Sequence, residues 1–255
     1  MSPMSREMCW RCFWPRSLCW CPSLVPMATR TRFVILMHPK EWKRERAATG
    51  RLTRLCLTNA EIRVGIGFDG DEGLRAILAD PGNRPVLLAP GSGAVDLSRE
   101  GALPLDPGGR QLVLLLLDGT WSLARKMFRE SPCLQTLPRA MFGTPPVSRF
   151  VIKQQPGPGC LSTLEAVHEA LLALERAGLD RYPLPGQLPD LLERMQAVQI
   201  RCASDPSLPG YRRRPYLRPE ERSTPSSARR RATPAPAPEV SPSSSTRRTL
   251  PSLPT

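Results

Sequence analysis

The sequence lacks the features that mark several large classes of protein. No apolar run reaches the length of about 18 residues that a transmembrane helix needs, so we expect no membrane span. None of the apolar runs that predict strands is followed by a G-x-G-x-x-G motif, and no G-x4-G-K-[ST] loop occurs, which argues against a dinucleotide-binding or P-loop enzyme. The chain has two histidines, no H-E-x-x-H motif and no G-x-S-x-G elbow. A catalytic metal or a hydrolase of that kind is therefore not expected.

The amino-terminal residues also lack the apolar core of a secretion signal. We therefore expect a cytoplasmic protein, in which thiols remain reduced. The eight cysteines are accordingly interpreted as metal ligands or core residues rather than as disulfide partners.

Large apolar residues are scarce near the end of the chain, where proline, serine and arginine dominate. Such a composition buries too little surface to offset its ordering entropy, so residues 219–255 are predicted to be a disordered tail. The net charge of the whole chain is +13, and both the tail and the remainder are basic. This balance favours a polyanionic partner, nucleic acid first and an anionic membrane surface second.

Four cysteines fall within thirteen residues in the spacing C-x2-C-x6-C-x-C: Cys9, Cys12, Cys19 and Cys21. A C-x2-C turn aims two thiolates at one point, and a second pair a short loop away completes a tetrahedron of soft ligands that suits zinc. Four protein ligands leave no open position, so the predicted zinc is structural. The alternative is a flexible arm with four unligated thiols.

Three tryptophans, Trp10, Trp14 and Trp20, lie between these cysteines. A module this small has no core of its own, so we expect the rings to pack against it or against the main domain. The alternative is that they stack on nucleic-acid bases.

Three short apolar runs predict buried strands at residues 32–37, 84–89 and 111–117. Continuous apolar strands are typical of a parallel sheet that is covered on both faces. Since ligands of such folds bind beyond the carboxyl ends of the strands, three loops are candidates for a site. They are His38-Pro39-Lys40, Pro90-Gly91-Ser92-Gly93 and Asp118-Gly119-Thr120-Trp121.

Helices are predicted in the second half of the chain. One covers residues 120–128, another begins at a capping box formed by Ser162 and Glu165, and a third covers residues 186–202. Together with the strands, these helices predict a three-layer α/β fold.

An ordered set of segments resembles the DTW-domain family of tRNA-uridine aminocarboxypropyltransferases from Cys9 to about Arg214. Besides the cysteine spacing, the segments are Leu36-Met37-His38-Pro39-Lys40-Glu41, Thr49-Gly50-Arg51-Leu52, Leu87-Leu88-Ala89-Pro90-Gly91, Asp118-Gly119-Thr120-Trp121, Ala124-Arg125-Lys126-Met127, Leu137-Pro138-Arg139 and Ser162-Thr163-Leu164-Glu165-Ala166. The D-x-T-W motif alone is short enough to recur by chance, whereas the ordered set is specific.

The resemblance implies a SPOUT-like three-layer fold with a mostly parallel sheet and a knotted C-terminal part. It implies S-adenosylmethionine as cofactor and transfer of its 3-amino-3-carboxypropyl group to N3 of a uridine in tRNA, with release of methylthioadenosine. The expected domains are a zinc-binding module at 1–28, a catalytic domain at 29–218 and the tail at 219–255. A monomer is favoured over the dimer that is common among SPOUT-like proteins, and no membrane partner is expected.

Asp118 is the candidate general base, because uridine N3 becomes a good nucleophile only once its proton leaves. Partial burial would raise the pKa of this carboxyl toward the range in which a base is efficient. Two alternatives stay open, in which Asp118 holds the amino group of the cofactor or is a helix N-cap. Thr120 and Trp121 complete the predicted catalytic set, and Trp121 either stacks on a base or packs its helix on the sheet.

The predicted cofactor-binding residues follow the strand ends and open the later helix: Leu88, Pro90, Gly91, Ser92, Leu117, Asp118, Leu161, Ser162 and Thr163. Backbone N–H groups at a helix N-terminus suit a carboxylate or ribose contact. A tight strand-to-helix turn and a capping box explain the same residues without a ligand.

The RNA surface is predicted to be basic, because lysine and arginine position the phosphate backbone. Its candidates are Lys40, Lys43, Arg44, Arg46, Arg51, Arg125, Lys126, Arg149, Lys153 and Arg212-Arg213-Arg214. Each of them is equally typical of solvated surface charge. His38 either aids proton movement or is structural.

Two other functions remain as alternatives. One is a SPOUT-like RNA methyltransferase with the same cofactor, which the mass of the product distinguishes. The other is a non-catalytic, zinc-containing RNA-binding protein, which predicts no cofactor binding.

Overall fold

The computed structural model describes residues 7–44, 48–99, 104–105, 108–153, 159–205 and 207. The predicted tail at 219–255 and the basic residues Arg46, Arg212, Arg213 and Arg214 lie outside these residues. Within the described part of the chain, no helix is long and apolar enough to cross a membrane.

One parallel sheet organises the fold. Its six strands are β1 (Arg32–Met37), β2 (Ala60–Val64), β3 (Asn83–Leu88), β4 (Val95–Asp96), β5 (Gln111–Asp118) and β6 (Arg139–Met141). Their order across the sheet is β2-β1-β5-β3-β6-β4, and every neighbouring pair is parallel. The three strands predicted from apolar runs are confirmed as the three adjacent strands β1, β5 and β3, with bounds that differ by at most one residue.

Seven α-helices are described: α1 (Pro39–Arg44), α2 (Thr49–Cys56), α3 (Glu72–Ala79), α4 (Trp121–Arg129), α5 (Pro132–Gln135), α6 (Thr163–Arg176) and α7 (Gln187–Ser204). The predicted capping box is confirmed at the start of α6. The Ser162 hydroxyl accepts a hydrogen bond from the backbone N–H of Glu165, and the Glu165 carboxylate accepts one from the backbone N–H of Ser162. This reciprocal pair satisfies two donors that the helix start would otherwise leave free.

The sheet is covered on both faces, as its apolar strands predict. Along β5, Leu114 packs in the cluster formed with α2, α6 and α7, whereas Leu115 packs in the cluster formed with α3, α4 and α5. Successive side chains of a strand point to opposite faces, so the central strand contributes to both clusters. The described residues therefore form a three-layer α/β fold. The knot implied by the resemblance stays a prediction.

The cysteine-rich segment packs into the main core. Trp14 and Trp20 are 5% and 8% exposed, and both belong to the cluster that contains α2, α6 and α7. Their rings contact each other edge to face with centroids 5.1 Å apart. A parallel bridge between Met27 and Leu57 attaches the end of the segment to the main fold. The packing prediction is confirmed for these two rings, while the domain boundary at residue 28 stays a prediction.

Candidate functional site

The carboxyl ends of the central strands meet at one edge of the sheet. Met37 of β1 pairs with Asp118 of β5, and Leu87 of β3 pairs with Leu115 of β5. Beyond the last pair, the backbone N–H of His38 donates to the carbonyl oxygen of Asp118 over 2.9 Å. The three predicted loops therefore follow adjacent strands, with Asp118 at the end of the middle one.

The carboxylate of Asp118 has one satisfied oxygen and one unsatisfied oxygen. Its Oδ1 accepts a 2.6 Å hydrogen bond from the hydroxyl of Thr163, the first residue of α6. Its Oδ2 is buried and has no hydrogen-bond partner among the described residues. The residue as a whole is 7% exposed. A buried acceptor without a donor is costly, so Oδ2 is a natural contact for a bound ligand.

Burial is the main influence on the protonation of Asp118. It raises the pKa of this carboxyl from its usual value to about 6, and the nearby Glu41 acts in the same direction. The hydrogen bond from Thr163 and the positive charges of Lys153 and Arg51 oppose this rise. At neutral pH such a group is still ionised, yet it takes up a proton more readily than an ordinary aspartate.

The helix-cap interpretation of Asp118 is wrong. Helix α4 begins at Trp121 and its N-cap is Thr120, which makes no capping hydrogen bond through its side chain. Thr120 is exposed and its hydroxyl lies 3.1 Å from that of Ser122. Two residues separate Asp118 from the start of α4. The carboxylate of Asp118 is hydrogen-bonded to Thr163 instead.

The ring of Trp121 remains accessible at the start of α4. It is 40% exposed, whereas Met127 on the same helix is fully buried. Met127 therefore anchors α4 to the sheet, and Trp121 offers part of an aromatic surface beside the carboxyl edge.

Gly50 at the start of α2 fits closely against the carboxylate. A Cβ atom built on this glycine would lie 2.3 Å from Asp118 Oδ2 and 3.1 Å from a methyl group of Ile35. Any larger residue would therefore displace the carboxylate or the helix. Gly50 was not among the predicted site residues, and the only signal for it was its place in one of the family-like segments.

Arg51 corrects the predicted RNA surface. The residue is 5% exposed, and its Nη2 donates to the carbonyl oxygen of Trp42 over 2.7 Å. Its guanidinium lies 4.3 Å from the ring centroid of Phe13 and 4.8 Å from that of Trp42. Arg51 is thus enclosed by two aromatic rings and does not face solvent. The cation–π contacts compensate for the hydration that the guanidinium loses.

The loop after β3 contacts Arg139 of β6. Arg139 Nη1 donates to the carbonyl oxygen of Pro90 over 3.1 Å, and its guanidinium lies 4.7 Å from the ring centroid of Phe128. A Cβ atom on Gly91 would collide with the same guanidinium at 2.3 Å. The loop leads to the short strand β4 and not to a helix, which corrects the strand-to-helix turn expected there.

The other predicted cofactor residues vary in accessibility. Leu88, Leu117 and Leu161 are partly exposed, and Ser92 is exposed. Ser162 is buried, and its backbone N–H is taken by the capping box. The structure thus leaves apolar surface and the Asp118 carboxylate for a ligand, but not the N–H of Ser162.

The four amino-terminal cysteines come together as one cluster. Their sulfur atoms all lie within 4.8 Å of one another. The Sγ atoms of Cys9 and Cys21 are 3.8 Å apart, and those of Cys12 and Cys19 are 3.7 Å apart. A tetrahedron with zinc–sulfur bonds of about 2.3 Å has sulfur–sulfur edges of about 3.8 Å. The donor set and its spacing therefore fit zinc.

Comparison with known proteins identifies the family. Residues 6–200 match the DTW domain. This chain belongs to the DTW-domain family. It is 34% identical over 180 residues to tRNA-uridine aminocarboxypropyltransferase 2 of Drosophila melanogaster, which covers 68% of each chain.

Two further relatives carry related names. The tRNA-uridine aminocarboxypropyltransferase 2 of Mus musculus is 32% identical over 177 residues, which cover 67% of this chain and 57% of the relative. The tRNA-uridine aminocarboxypropyltransferase A of Arabidopsis thaliana is 30% identical over 198 residues, which cover 68% of this chain and 74% of the relative. This chain thus spans little more than half of the mouse relative. No solved structure matches it significantly.

The remaining basic residues of this DTW domain differ in their surroundings. Lys40, Lys43, Arg125 and Arg149 are exposed. Lys126 lies 3.8 Å from Glu130, and Lys153 lies 3.6 Å from Glu41. The side chain of Arg44 lies outside the described part. Exposure makes the first four available for phosphate contacts, which stay a prediction.

His38 has a structural environment in the DTW domain. It is 3% exposed, and its Nδ1 accepts a 3.1 Å hydrogen bond from the backbone N–H of Lys40. Burial lowers the pKa of the imidazole, and the nearby lysines Lys40 and Lys126 add to this effect. A neutral ring that accepts from the backbone fixes the turn after β1.

Proposed function

We propose that this DTW-domain protein is a tRNA-uridine aminocarboxypropyltransferase. It moves the 3-amino-3-carboxypropyl group of S-adenosylmethionine to N3 of a uridine in tRNA and releases methylthioadenosine. Family membership and the names of the relatives support this reaction. The structural observation that carries the proposal is the buried carboxylate of Asp118, whose Oδ2 has no partner among the described residues and whose pKa is raised to about 6.

The residues at the carboxyl edge offer a ligand one unsatisfied acceptor and partly exposed apolar side chains. In this proposal, Asp118 Oδ2 accepts from the N3–H of the uridine without losing any existing hydrogen bond. Leu88, Leu117 and Leu161 add partly exposed apolar side chains, of which Leu117 packs on the face of the sheet opposite to Asp118. S-adenosylmethionine, when bound, supplies a sulfonium that activates the attached carbon for displacement. The protein then selects the transferred group by presenting the correct carbon to the base.

Asp118 acts as the general base in this proposal. Thr163 holds Oδ1, so Oδ2 is the oxygen that takes the proton from uridine N3 as the new N–C bond forms and the C–S bond breaks. The buried surroundings favour the neutral acid that results. If Asp118 instead holds the cofactor amino group, Asp118→Asn weakens cofactor binding in proportion to its loss of activity.

Exposed groups around the same edge are assigned to the RNA. Trp121 offers a ring for stacking on a base. Lys40 and Lys43 on α1 and Arg125 on α4 are exposed, and both helices start close behind the ends of adjacent strands. Such cations position a tRNA through its phosphates without reading its sequence.

The finer features of the family belong to the same proposal. The four-cysteine cluster holds a structural zinc, the C-terminal part of the sheet is knotted as in SPOUT-like proteins, and the protein acts as a cytoplasmic monomer. The sulfur spacing supports the first of these features.

Mass spectrometry of tRNA nucleosides tests the proposal. The full chain is incubated with unmodified tRNA and S-adenosylmethionine, and an aminocarboxypropyl-uridine is expected. Asp118→Asn should abolish this nucleoside, whereas the matched control Asp190→Asn, at an exposed position of α7, should not. A methylated base would indicate a methyltransferase. No new nucleoside despite measurable tRNA binding would indicate a non-catalytic RNA-binding protein.

A further inference from the structure

The three tryptophans of the cysteine-rich segment differ in their exposure to solvent. Trp14 and Trp20 are buried against each other, but Trp10 is 76% exposed. An indole this exposed buries little surface in the fold, so a polar residue in its place should cost little stability. Trp10 is therefore available for a partner.

The backbone around Trp10 is held in one conformation. Trp10 and Arg11 are the two central residues of the turn between Cys9 and Cys12, whose thiols belong to the metal-binding cluster. At its base, the N–H of Phe13 donates to the carbonyl of Cys9, and the N–H of Cys9 donates to the carbonyl of Trp14, each over 2.8 Å. A ring on such a fixed turn loses little entropy when a partner stacks on it.

The turn lies at the edge of the fold that carries the candidate active site. Phe13, which follows the turn, contacts Trp42 with ring centroids 5.4 Å apart. Trp42 belongs to α1, which starts just after the carboxyl end of β1, and β1 lies next to β5, the strand that ends at Asp118. A substrate long enough to extend beyond Asp118 can therefore reach the turn.

The charge around Trp10 indicates the chemistry of the partner. Arg11 is exposed and makes no ion pair with any described residue. Lys40 and Lys43 are exposed on α1, the helix that contacts Phe13. An aromatic ring beside an unpaired cation is a combination that binds single-stranded nucleic acid, because the ring stacks on a base and the cation contacts a phosphate.

We propose that Trp10 stacks on an unpaired base of the tRNA and that Arg11 contacts a neighbouring phosphate, so that the cysteine turn is a second RNA contact outside the catalytic pocket. The identity of the RNA as tRNA rests on the proposed function. The stacking contact itself requires only a single-stranded region within reach of the turn.

Binding measurements with the full, zinc-loaded chain test this contact. Trp10→Ala should weaken tRNA affinity about 5- to 100-fold at fixed salt, as loss of one stacked base does, while Trp10→Phe should stay within about threefold of the wild type. Arg11→Ala should reduce the slope of log affinity against log salt by about one. Leu184→Ala, an exposed apolar position, serves as the control that changes nothing.

The proposal is wrong if Trp10→Ala and Arg11→Ala both keep full zinc content and bind tRNA with wild-type affinity. That result is the one expected if the turn docks a protein instead. If Trp10→Ala loses zinc, Arg11→Ala decides by its salt slope. The catalytic assay is read separately. Weaker binding by these variants without any aminocarboxypropyl-uridine from the wild type would refute the enzymatic function and leave the stacking contact in place.

Discussion

The hydroxyl of Thr163 donates a 2.6 Å hydrogen bond to Oδ1 of Asp118. This bond joins the first residue of α6 to the last residue of β5, 45 residues apart in the chain. It fixes the rotamer of the carboxylate and leaves Oδ2 as the oxygen without a partner among the described residues. In the proposed reaction, the position of α6 thus decides which oxygen faces the substrate.

Thr163→Val should shift the pH dependence of the reaction. The donated hydrogen bond stabilises the carboxylate, so its loss raises the pKa of Asp118 further above about 6. Because a general base acts in its deprotonated form, the acid limb of kcat/KM against pH should move up by about one unit. Thr163→Ser keeps the donor and should retain the wild-type profile. If the acid limb of Thr163→Val lies at the same pH as that of the wild type, Thr163 does not influence the ionisation that controls the reaction.

Asp118→Asn should stabilise the fold at neutral and alkaline pH. The pKa of Asp118 is higher in the folded protein, about 6, than in the unfolded chain, so the folded state binds more protons between about pH 4 and pH 6. The free energy of unfolding of the wild type therefore falls as pH rises through this window and stays lower above it. Removing the charge should gain about 1–3 kcal/mol at pH 8.

Urea unfolding of both proteins from pH 5 to pH 8 measures this difference. The gain in Asp118→Asn should shrink toward pH 5, where the wild-type carboxyl is already largely protonated. A gain that is independent of pH would point to altered packing instead of a buried charge.

Gly50→Ala should impair the site with little effect elsewhere. The added Cβ would lie 2.3 Å from Asp118 Oδ2, so either the carboxylate or the start of α2 must shift. A misplaced catalytic group costs about tenfold or more in kcat. Gly70→Ala is the matched control, because nothing lies within 4 Å of a Cβ at that position and its φ is not left-handed. Equal kcat values for the two variants would show that Asp118 tolerates the displacement.

Local features of the fold were predictable because their physics is local. The strands β1, β3 and β5, which were predicted from apolar runs, are confirmed. A strand that is covered on both faces needs apolar side chains on both, so its sequence is recognisable. The capping box at Ser162 needs only two residues three positions apart. Strand β2 was missed because its residues alternate with the charged Glu61 and Arg63, which pair with each other on a partly exposed edge.

The site was only partly predictable because its contacts are distant in sequence. Asp118 was predicted as a catalytic residue and Thr163 as a cofactor-binding residue, but nothing in the sequence indicated that the two are hydrogen-bonded to each other. Arg51 was placed on the RNA surface because charge alone does not reveal that Phe13 and Trp42 enclose it. Gly50 was overlooked as a site residue because its role depends on the close approach of α2 to β5.

Phe13→Leu should lower the turnover number without removing the metal. Phe13 adopts a left-handed backbone conformation, with φ of 60°, directly after Cys12 of the four-cysteine cluster, and its ring lies 4.3 Å from the Arg51 guanidinium. Arg51 follows Gly50, which touches the Asp118 carboxylate, so the ring connects the cysteine cluster to the site. Loss of a largely buried cation–π contact costs about 1–2 kcal/mol, and the freed guanidinium should disturb the start of α2.

We expect a fall in kcat of about 5- to 30-fold, consistent with that energy, at saturating tRNA and S-adenosylmethionine. Zinc content and tRNA affinity should match the wild type, and Phe13→Tyr should restore kcat because it keeps an aromatic face over Arg51. Removal of zinc by a chelator should reproduce the kcat defect in the wild type and add little to it in Phe13→Leu. If the chelator lowers kcat equally in both proteins, the metal affects the site by a route that does not pass through this ring.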